Sequence, residues 1–131
     1  MVIETIYEYL TGATGITQYI PASSIFFKVI TEDFDDDAIQ FDVFASSPVK
    51  VLNQQKSIGN WFTLDLLIKV SNNTLKLYQI EDAIENSIYD LVDTDADIRH
   101  IRKVEAILGY DVYLDRHELS IEYSIYANSN N

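Results

Sequence analysis

Residues 61–70 have the sequence WFTLDLLIKV, and this stretch decides the fold. Successive side chains of a β-strand point to opposite faces of the sheet. Every second residue here is apolar, and these residues are Phe62, Leu64, Leu66, Ile68 and Val70. The positions between them include Trp61, Thr63, Asp65 and Lys69. The pattern predicts a strand with one face buried in a core and a second, more polar face.

An amphipathic helix is predicted directly after this strand. Residues 71–74 are Ser, Asn, Asn and Thr, which are residue types that cap helix N-termini. Spacings of three and four residues then connect the apolar side chains Leu77, Ile80, Ile84, Ile88 and Leu91. We expect a helix from Ser71 to Val92 whose outward residues are Glu81, Asp82, Glu85 and Asn86. This acidic outer face is expected to be almost unpaired, so that it is solvated or meets a basic partner.

The segments around this strand and helix have patterns of their own. Apolar residues three and four apart predict a short helix over residues 3–10. Runs rich in β-branched and aromatic residues, or alternating in polarity, predict strands at Ser24–Thr31, at Ile39–Val43 with an end near Ser46-Ser47-Pro48, and at 118–127. The polar segment Val49–Gly59 fits either a mobile loop or a long hairpin arm.

Residues 98–108 are ambiguous, because their apolar side chains fit both the period of a strand and that of a helix. We favour a strand, since turn signals and short β-rich pieces surround the segment. The order is then helix, three strands, helix, two strands. It predicts an α+β fold, an antiparallel or mixed β-sheet with two helices packed on one face. Residues 1–131 form a single domain, and residues 128–131 are expected to be a loose C-terminal tail.

Composition excludes several classes of function. The chain has 131 residues, of which 47% are hydrophobic, and it contains no cysteine, so neither disulfides nor thiolate metal sites contribute. No apolar run approaches the roughly 20 residues that span a bilayer, and the N-terminus lacks a secretory pattern. We therefore expect synthesis in the cytoplasm and no membrane association. Nine tyrosines suit a protein–protein interface.

Charge argues against specific nucleic-acid binding. The net charge is −12, from 21 acidic and 9 basic residues, and a phosphate backbone would be repelled. The local basic cluster is Arg99, His100, Arg102 and Lys103. It follows Asp93, Asp95 and Asp97, so we expect it to pair internally or with a protein neighbour.

No motif with a specific chemistry is present. Residues 93–97 match the first half of a calcium loop, but Ile98 and Val104 stand where that loop needs Gly and Glu. The acidic run Glu32–Asp37 is expected to be a solvated loop or a patch for a basic partner rather than a cation site. Neither His100 nor His117 belongs to a metal-binding arrangement. We expect no catalytic, cofactor-binding or metal residues, no cofactor, and no enzyme activity.

The layout resembles the tail completion, or tail terminator, proteins of long-tailed bacteriophages. The residues that carry the resemblance are Thr63–Val70 leading into the long helix, and Leu119–Tyr126 with its alternating Ile and Tyr. It implies a structural virion protein that forms a ring, usually hexameric, on the tail tube and joins the tail to the head connector. The implied partners are other copies of the chain, the tail tube protein and the head–tail connector proteins.

The resemblance also implies a location in the virion tail after synthesis in the host cytoplasm, and it offers no catalytic residues. An acidic lumen would suit such a ring, because like charge keeps passing DNA from sticking. The insertion Ser46–Asn60 departs from the family layout. Since long loops in small domains are usually functional or disordered, we expect Lys50–Asn60 to lie in a contact between subunits.

Two alternatives belong to other classes. One is a different head–tail connector or minor virion protein, which shares the size and the docking role. The other is an acidic DNA-mimic inhibitor protein, which should space carboxylates regularly along one face. The acids here are concentrated at Glu32–Asp37 and Glu81–Asp97, and this distribution disfavours a mimic.

Overall fold

The chain folds into one five-stranded sheet with helices against one of its faces. The computed structural model describes residues 2–28, 36–50, 57–71, 73–113 and 115–128, with the backbone alone for 46–50, 57 and 58. The elements are α1 (Val2–Gly12), α2 (Thr14–Thr17), a 3₁₀ turn (Ala22–Ser24), β1 (Ile25–Phe27), β2 (Ala38–Lys50), β3 (Ser57–Ser71), α3 (Thr74–Ser87), a second 3₁₀ turn (Ile88–Asp90), α4 (Leu91–Thr94), β4 (Ile98–Asp111) and β5 (Arg116–Asn128).

The strand order is β1-β2-β3-β5-β4, so β3 is the central strand and β4 is an edge strand. The pairing of β1 with β2 is parallel, while the other three pairings are antiparallel. The sheet is therefore mixed, and the predicted α+β class is confirmed. Residues 98–108, which fitted two periods, belong to strand β4.

The core lies between the helices and the face of β3 that the alternation predicts. Leu64, Leu66, Ile68 and Val70 are completely buried, and Phe62 is partly buried at the margin. Leu66 lies opposite Phe41 of β2 on one side and Ile121 of β5 on the other. The helices contribute the completely buried side chains Ile6, Leu10, Ile16, Leu77, Ile80, Ile84 and Ile88. Tyr123 of β5 is also completely buried.

The predicted long helix begins at Thr74, three residues after Ser71, and is interrupted once. The side chain of Asn73 accepts a hydrogen bond from the Lys76 amide at 3.2 Å, which caps α3. The helix ends at Ser87, whose hydroxyl donates to the Ala83 carbonyl at 2.8 Å, a bond that competes with regular helix hydrogen bonding. The chain continues as a 3₁₀ turn and α4, and Ile88 and Leu91 keep their buried positions.

Two predicted boundaries in the first half of the sheet were wrong or incomplete. Strand β2 does not end near Ser46-Ser47-Pro48 but continues to Lys50, with an irregularity between Ala45 and Ser47. Lys50 of β2 pairs with Ser57 of β3. Of the two alternatives for Val49–Gly59, the hairpin arm is therefore correct for the described part, and residues 51–56 lie outside the described residues. A β-bulge accommodates an extra residue without ending a ladder. Proline is tolerated where a strand has no neighbour on one side, and in the described part of the chain β2 has none beside Pro48.

Strand β1 is shorter than Ser24–Thr31 in the part of the chain that the structure describes. It covers Ile25–Phe27, after which Lys28 adopts a positive φ of 72° and donates its amide to the Phe41 carbonyl at 2.6 Å. Residues 29–31 lie outside the described residues. At the other end of the chain, Asn128 belongs to β5 and its amide donates to the Asp97 carbonyl at 2.7 Å, while residues 129–131 are not described.

The packing of α3 predicts a contrast between its two faces. Replacing Ile84 or Ile88 by Ala should lower the free energy of unfolding by about 2–5 kcal/mol, because each substitution leaves a cavity in the core. The double variant should be largely unfolded, since domains of this size have only about 5–15 kcal/mol of stability. Asp82→Ala and Asn86→Ala, at exposed positions of the same helix, should change stability by less than about 0.5 kcal/mol. Thermal melts of the variants check this, and equal losses on both faces would contradict the packing.

Candidate assembly surfaces

Strand β4 presents an apolar edge to solvent. From Val104 to Tyr110 every side chain is exposed, including Val104 at 46%, Ile107 at 57%, Leu108 at 49% and Tyr110 at 49%. Leu108 lies opposite the buried Leu119, on the helical side of the sheet, so the helical layer does not cover this half of the strand. The backbone N–H and C=O groups of β4 that point away from β5 have no strand partner in the described part of the chain. We call Val104–Tyr110 the β4 edge.

The turn after β4 extends this apolar surface. Val112 is 75% exposed and Tyr113 is 99% exposed. The turn is held by local hydrogen bonds, since the Tyr113 amide donates to the Asp111 carboxylate at 3.0 Å and the Tyr110 hydroxyl donates to Asp115. The hydrogen bond to Asp115 raises the pKa of Tyr110. The exposed apolar side chains therefore stand on an ordered hairpin.

A second exposed surface lies at the opposite edge of the sheet. Tyr7 of α1, Phe27 of β1 and Phe44 of β2 are exposed by 44%, 37% and 47%. The first two pack on the buried ring of Phe41, with centroid distances of 6.1 Å from Tyr7 and 5.3 Å from Phe27. Phe44 lies beyond Phe41, the last residue of β2 that pairs with β1 in the described part of the chain. We call Tyr7, Phe27 and Phe44 the aromatic edge.

Charged side chains surround both edges. Arg99 and Arg102 are exposed in the first half of β4, and the Arg99 side chain also donates to Asn128 at 3.3 Å. Beside the aromatic edge, Glu8 is exposed next to Tyr7 on α1, and Asp42 is half-buried two residues before Phe44 on β2. Glu105 is exposed within the β4 edge, and Lys28 is exposed with its Nζ 5.3 Å from the centroid of the Phe27 ring, so each edge carries charges of both signs.

The expectation of an almost unpaired acidic face on α3 was wrong for two of its members. Lys103 of β4 forms ion pairs with Glu81 at 3.2 Å and with Glu85 at 3.5 Å. Glu85 also accepts hydrogen bonds from the Tyr89 and Tyr123 hydroxyls, each at 2.8 Å. Asp82 and Asn86 remain exposed, as predicted. Part of the predicted basic cluster therefore pairs inside the chain and fastens α3 to the sheet.

The pKa values at this contact follow from the same geometry. Burial acts to raise the pKa of Glu85, but the hydrogen bonds from Tyr89 and Tyr123 and the Lys103 charge outweigh it and the pKa is lowered. Burial and the bond to Glu85 raise the pKa of Tyr89 to about 12 and also raise that of Tyr123. All of these groups keep their ordinary neutral-pH charge states, so the contact is structural.

Four carboxylates form a row across the open face of the sheet. Asp42 lies opposite Asp65, Asp65 opposite Glu122, and Glu122 opposite Glu105, on four neighbouring strands. Like charges that face each other across strands are destabilising. Burial, together with the charges of Asp42 and Glu105, raises the pKa of Asp65. We call Asp42, Asp65, Glu122 and Glu105 the acid row.

The structure assigns local roles to two of the predicted acidic segments. Asp95, from the incomplete calcium loop, accepts from the Thr5 hydroxyl and from the Asp97 amide, both at 2.9 Å. Asp37, the last residue of Glu32–Asp37, pairs with Lys76 at 2.6 Å and accepts from the Ser71 amide at 3.0 Å. Residues 32–35 of that run lie outside the described residues. In the described ranges no three His, Asp or Glu side chains are grouped to hold a metal ion.

Both histidines pack against aromatic rings. His100 packs edge-on against Trp61 at 6.1 Å, and His117 packs against Tyr110 at 5.0 Å. A groove of about 570 Å³ between α2 and α3 is lined by small and amide side chains and by Tyr19, with Asp82 as the one carboxylate among the described lining residues. Among the described residues, no helix combines the length and the apolar character needed to cross a membrane.

Sequence reasoning missed the acid row and both edges. The row depends on strand register, since its members are separated by tens of residues along the chain. The sequence contains one indication of the β4 edge, since the apolar residues of 98–108 fit both the period of a strand and that of a helix. A strand that is apolar on both faces and lies at a sheet edge produces such a pattern.

Comparisons with known proteins identify the fold. No protein-family model matches the chain, and a comparison with curated proteins also gave no match. A chain of a solved structure titled "Virion of native gene transfer agent (GTA) particle" has a similar fold, with a TM-score of 0.70 at 9% sequence identity. The match covers 95% of this chain and 92% of that chain. At this identity the likeness concerns the fold.

The acid row predicts that neutralising one member stabilises the protein. Asp65→Asn should raise the free energy of unfolding near pH 7 by about 0.2–1 kcal/mol, because it removes the repulsion between Asp65 and the carboxylates of Asp42 and Glu105. The raised pKa of Asp65 in the folded state means that its destabilising effect is present at neutral pH and is relieved as the pH falls through that pKa. The gain should therefore shrink on mild acidification.

Urea unfolding of Asp65→Asn and of the native protein, near pH 7 and at a mildly acidic pH, measures the change in stability. Asp82→Asn, a carboxylate exposed on α3 and outside the row, serves as the control and should leave stability unchanged at either pH. A loss of stability in Asp65→Asn would show that the row is not repulsive.

Proposed function

We propose that this protein is a structural virion protein, a tail terminator or completion protein that forms a ring on the tail tube and joins the tail to the head connector. The observation that carries the proposal is the shared fold, over nearly the full length of both chains, with a chain of a gene transfer agent virion. At 9% identity that likeness does not itself transfer a role. The assembly surfaces of this chain supply the rest of the argument.

The two sheet edges support assembly through protein contacts. Monomeric proteins rarely leave long apolar strand edges open, because such edges recruit other chains. The β4 edge is seven residues long and adjoins two further exposed apolar side chains, Val112 and Tyr113. A surface of this kind fits a protein whose working state is an assembly.

Copies of a chain can form a ring when one surface of each copy binds a different surface of the next copy. Such head-to-tail contacts generate closed rings if the rotation between copies closes. The domain has two different edges on opposite sides of one sheet, which is the arrangement that a ring requires. The hexameric order comes from the resemblance to tail terminator proteins.

The acid row supports a role beside DNA that does not involve binding it. Four carboxylates face each other at a cost in stability, and the net charge of the chain is −12. If the open face of the sheet lines the ring, this charge repels a phosphate backbone and lets DNA pass. The tail tube protein and the head connector proteins would contact the two ends of the ring. Lys50–Asn60 is predicted to lie in a contact between subunits.

The acid row also favours one other function, an acidic DNA-mimic inhibitor. A protein of that kind would present the row to the basic site of a nucleic-acid enzyme. A further head–tail connector or minor virion protein would share the fold and the edges. Location in the particle separates all three.

Particles purified from cells that make the protein provide the test. We expect several copies of the chain per tail by quantitative mass spectrometry, and antibody labelling at the end of the tail that meets the head. Removing the gene should leave heads and tails that do not join. Labelling on tailless heads would indicate a connector instead. A single copy per tail, or absence from the particle, would contradict the proposal.

A further inference from the structure

We propose that one end of the domain, which carries Leu75, Val112 and Tyr113, docks into an apolar pocket with a basic rim on a different protein of the particle. The inference rests on the proposed function and deepens it, because it names the surface through which the chain meets a partner other than a second copy. We call Leu75, Val112 and Tyr113 the apolar end.

The topology brings these three side chains to the same end of the sheet. Val112 and Tyr113 lie in the turn between β4 and β5. Arg116, the first residue of β5, pairs with Ser71, the last residue of β3. Helix α3 begins three residues after Ser71, so Leu75 lies in the first turn of the helix, beside the end of the sheet that the β4–β5 turn closes.

The apolar end holds the three most exposed large apolar side chains among the described residues. The exposed fraction is larger for Tyr113, Val112 and Leu75, at 62% for Leu75, than for any residue of either sheet edge. Burial of apolar surface is the dominant favourable contribution to most protein association. Tyrosine is also enriched among the residues that carry most of the binding energy of interfaces. A partner that covers this end therefore removes the most accessible apolar groups from water.

The β4–β5 turn fixes Tyr113 before a partner arrives. The Tyr113 amide donates to the Asp111 carboxylate at 3.0 Å, and the Tyr110 hydroxyl donates to Asp115. Asp115 closes the turn with a positive φ of 51°, and the Tyr110 ring packs against His117 at 5.0 Å. A surface that is already ordered in the lone chain loses little conformational entropy when it binds.

The exposed charges at this end are acidic. Asp115 is exposed next to the apolar residues of the turn, and Asp111 is half-buried before them. Asp37 accepts a hydrogen bond from the Ser71 amide at 3.0 Å, which places the start of β2 at the same end of the sheet. Asp36, directly before it, is exposed, and both carboxylates are among the side chains that line a groove of about 340 Å³.

The basic side chains of the described residues at this end are buried or paired. Lys76 pairs with Asp37 at 2.6 Å, and Lys69 pairs with Glu118 at 3.9 Å. Arg116 is buried. The charge that remains for a partner is negative, so the complementary surface is basic.

A second copy is a poor source of such a surface. Two apolar ends placed together would bring the carboxylates of Asp36 and Asp115 close to those of the other copy. Among the described residues the exposed basic side chains are Lys28, Arg99 and Arg102, and the exposed acidic side chains outnumber them. The phosphates of a nucleic acid would be repelled as well. A different protein whose pocket has an apolar floor and Lys or Arg at its rim fits both the side chains and the charges.

Site-specific photo-crosslinking in cells that make the protein and its particles tests the inference. Full-length variants carry the photoreactive amino acid p-benzoylphenylalanine in place of Tyr113 or Leu75, and mass spectrometry identifies the linked peptides after irradiation. The matched control carries it in place of Val92, which is exposed on α4, before the start of β4 and hence at the other end of the sheet. All three sites are exposed, and circular dichroism melts of the purified variants check that each is folded.

Positions 113 and 75 should link to the same protein, which differs from this chain, at a segment that contains Lys or Arg. The yield with that protein should be at least about tenfold higher from position 113 than from position 92, as expected for one order of magnitude in association.

Charge variants test the basic rim. Asp36→Asn combined with Asp115→Asn should lower the yield from position 113 by about two- to tenfold, because the two exposed charges that face the rim are lost. Asparagine tolerates the positive φ at position 115. Asp82→Asn, which removes an exposed carboxylate of α3 outside this end, is the control and should leave the yield unchanged.

Four outcomes would overturn the inference. Links from position 113 to another copy would mean that copies cover this end, and equal yields from positions 113 and 92 would mean random encounter. An absence of linked product would mean that nothing docks there, and an unchanged yield in the charge variants would contradict the basic rim.

The inference and the proposed function fail separately. If the chain is present in several copies per tail but one of these four outcomes occurs, the inference fails and the proposed function stands. If position 113 links to a basic segment of a different protein but the chain is absent from particles, the proposed function fails and the apolar end remains a docking surface.

Discussion

The structure depends on the two-sided pairing of β3. This strand lies in the middle of the sheet, and its alternate residues Leu64, Leu66 and Ile68 are completely buried under the helices. A shift of one residue in its register would turn every one of these side chains to the other face. The same register places Asp65 between Asp42 and Glu122 on the open face, so the core and the acid row have one origin. Burial of the apolar face outweighs the repulsion on the other face, because each buried aliphatic side chain contributes about 1.5–3 kcal/mol and each like-charge pair costs about 0.2–1 kcal/mol.

Two features of the protein lower the stability or solubility of a lone copy. The acid row places like charges opposite each other on neighbouring strands, and β4 leaves apolar side chains exposed on an edge without a strand partner among the described residues. A domain that worked alone would gain from removing both. In an assembly, neighbouring copies would cover the exposed edges. The concentrated negative charge would repel acidic molecules from the open face of the sheet.

Local patterns in the sequence were enough to predict β3, α3 and the α+β class. The alternation at 61–70 and the stripe from Leu77 to Leu91 each arise within one element, where spacing along the chain sets the side-chain direction. The pairing of Lys103 with Glu81 and Glu85 could not be predicted in this way, because it joins a strand to a helix, and Lys103 is 22 residues from Glu81 along the chain. The acid row needed the register of four strands, and the two edges needed the strand order. The continuation of β2 through Pro48 was missed because proline usually ends a strand, whereas an edge position tolerates it.

The central claim is that the working protein has its β4 edge covered by another protein surface. Hydrogen–deuterium exchange of the β4 backbone amides, measured in the lone chain and in the assembled state, tests it most directly. The account predicts that the outward-pointing amides within Val104–Tyr110, which do not bond to β5, exchange rapidly in the lone chain and become protected on assembly, while the amides of β3 are protected in both states. Exchange within Val104–Tyr110 that is equally fast in both states would contradict the account.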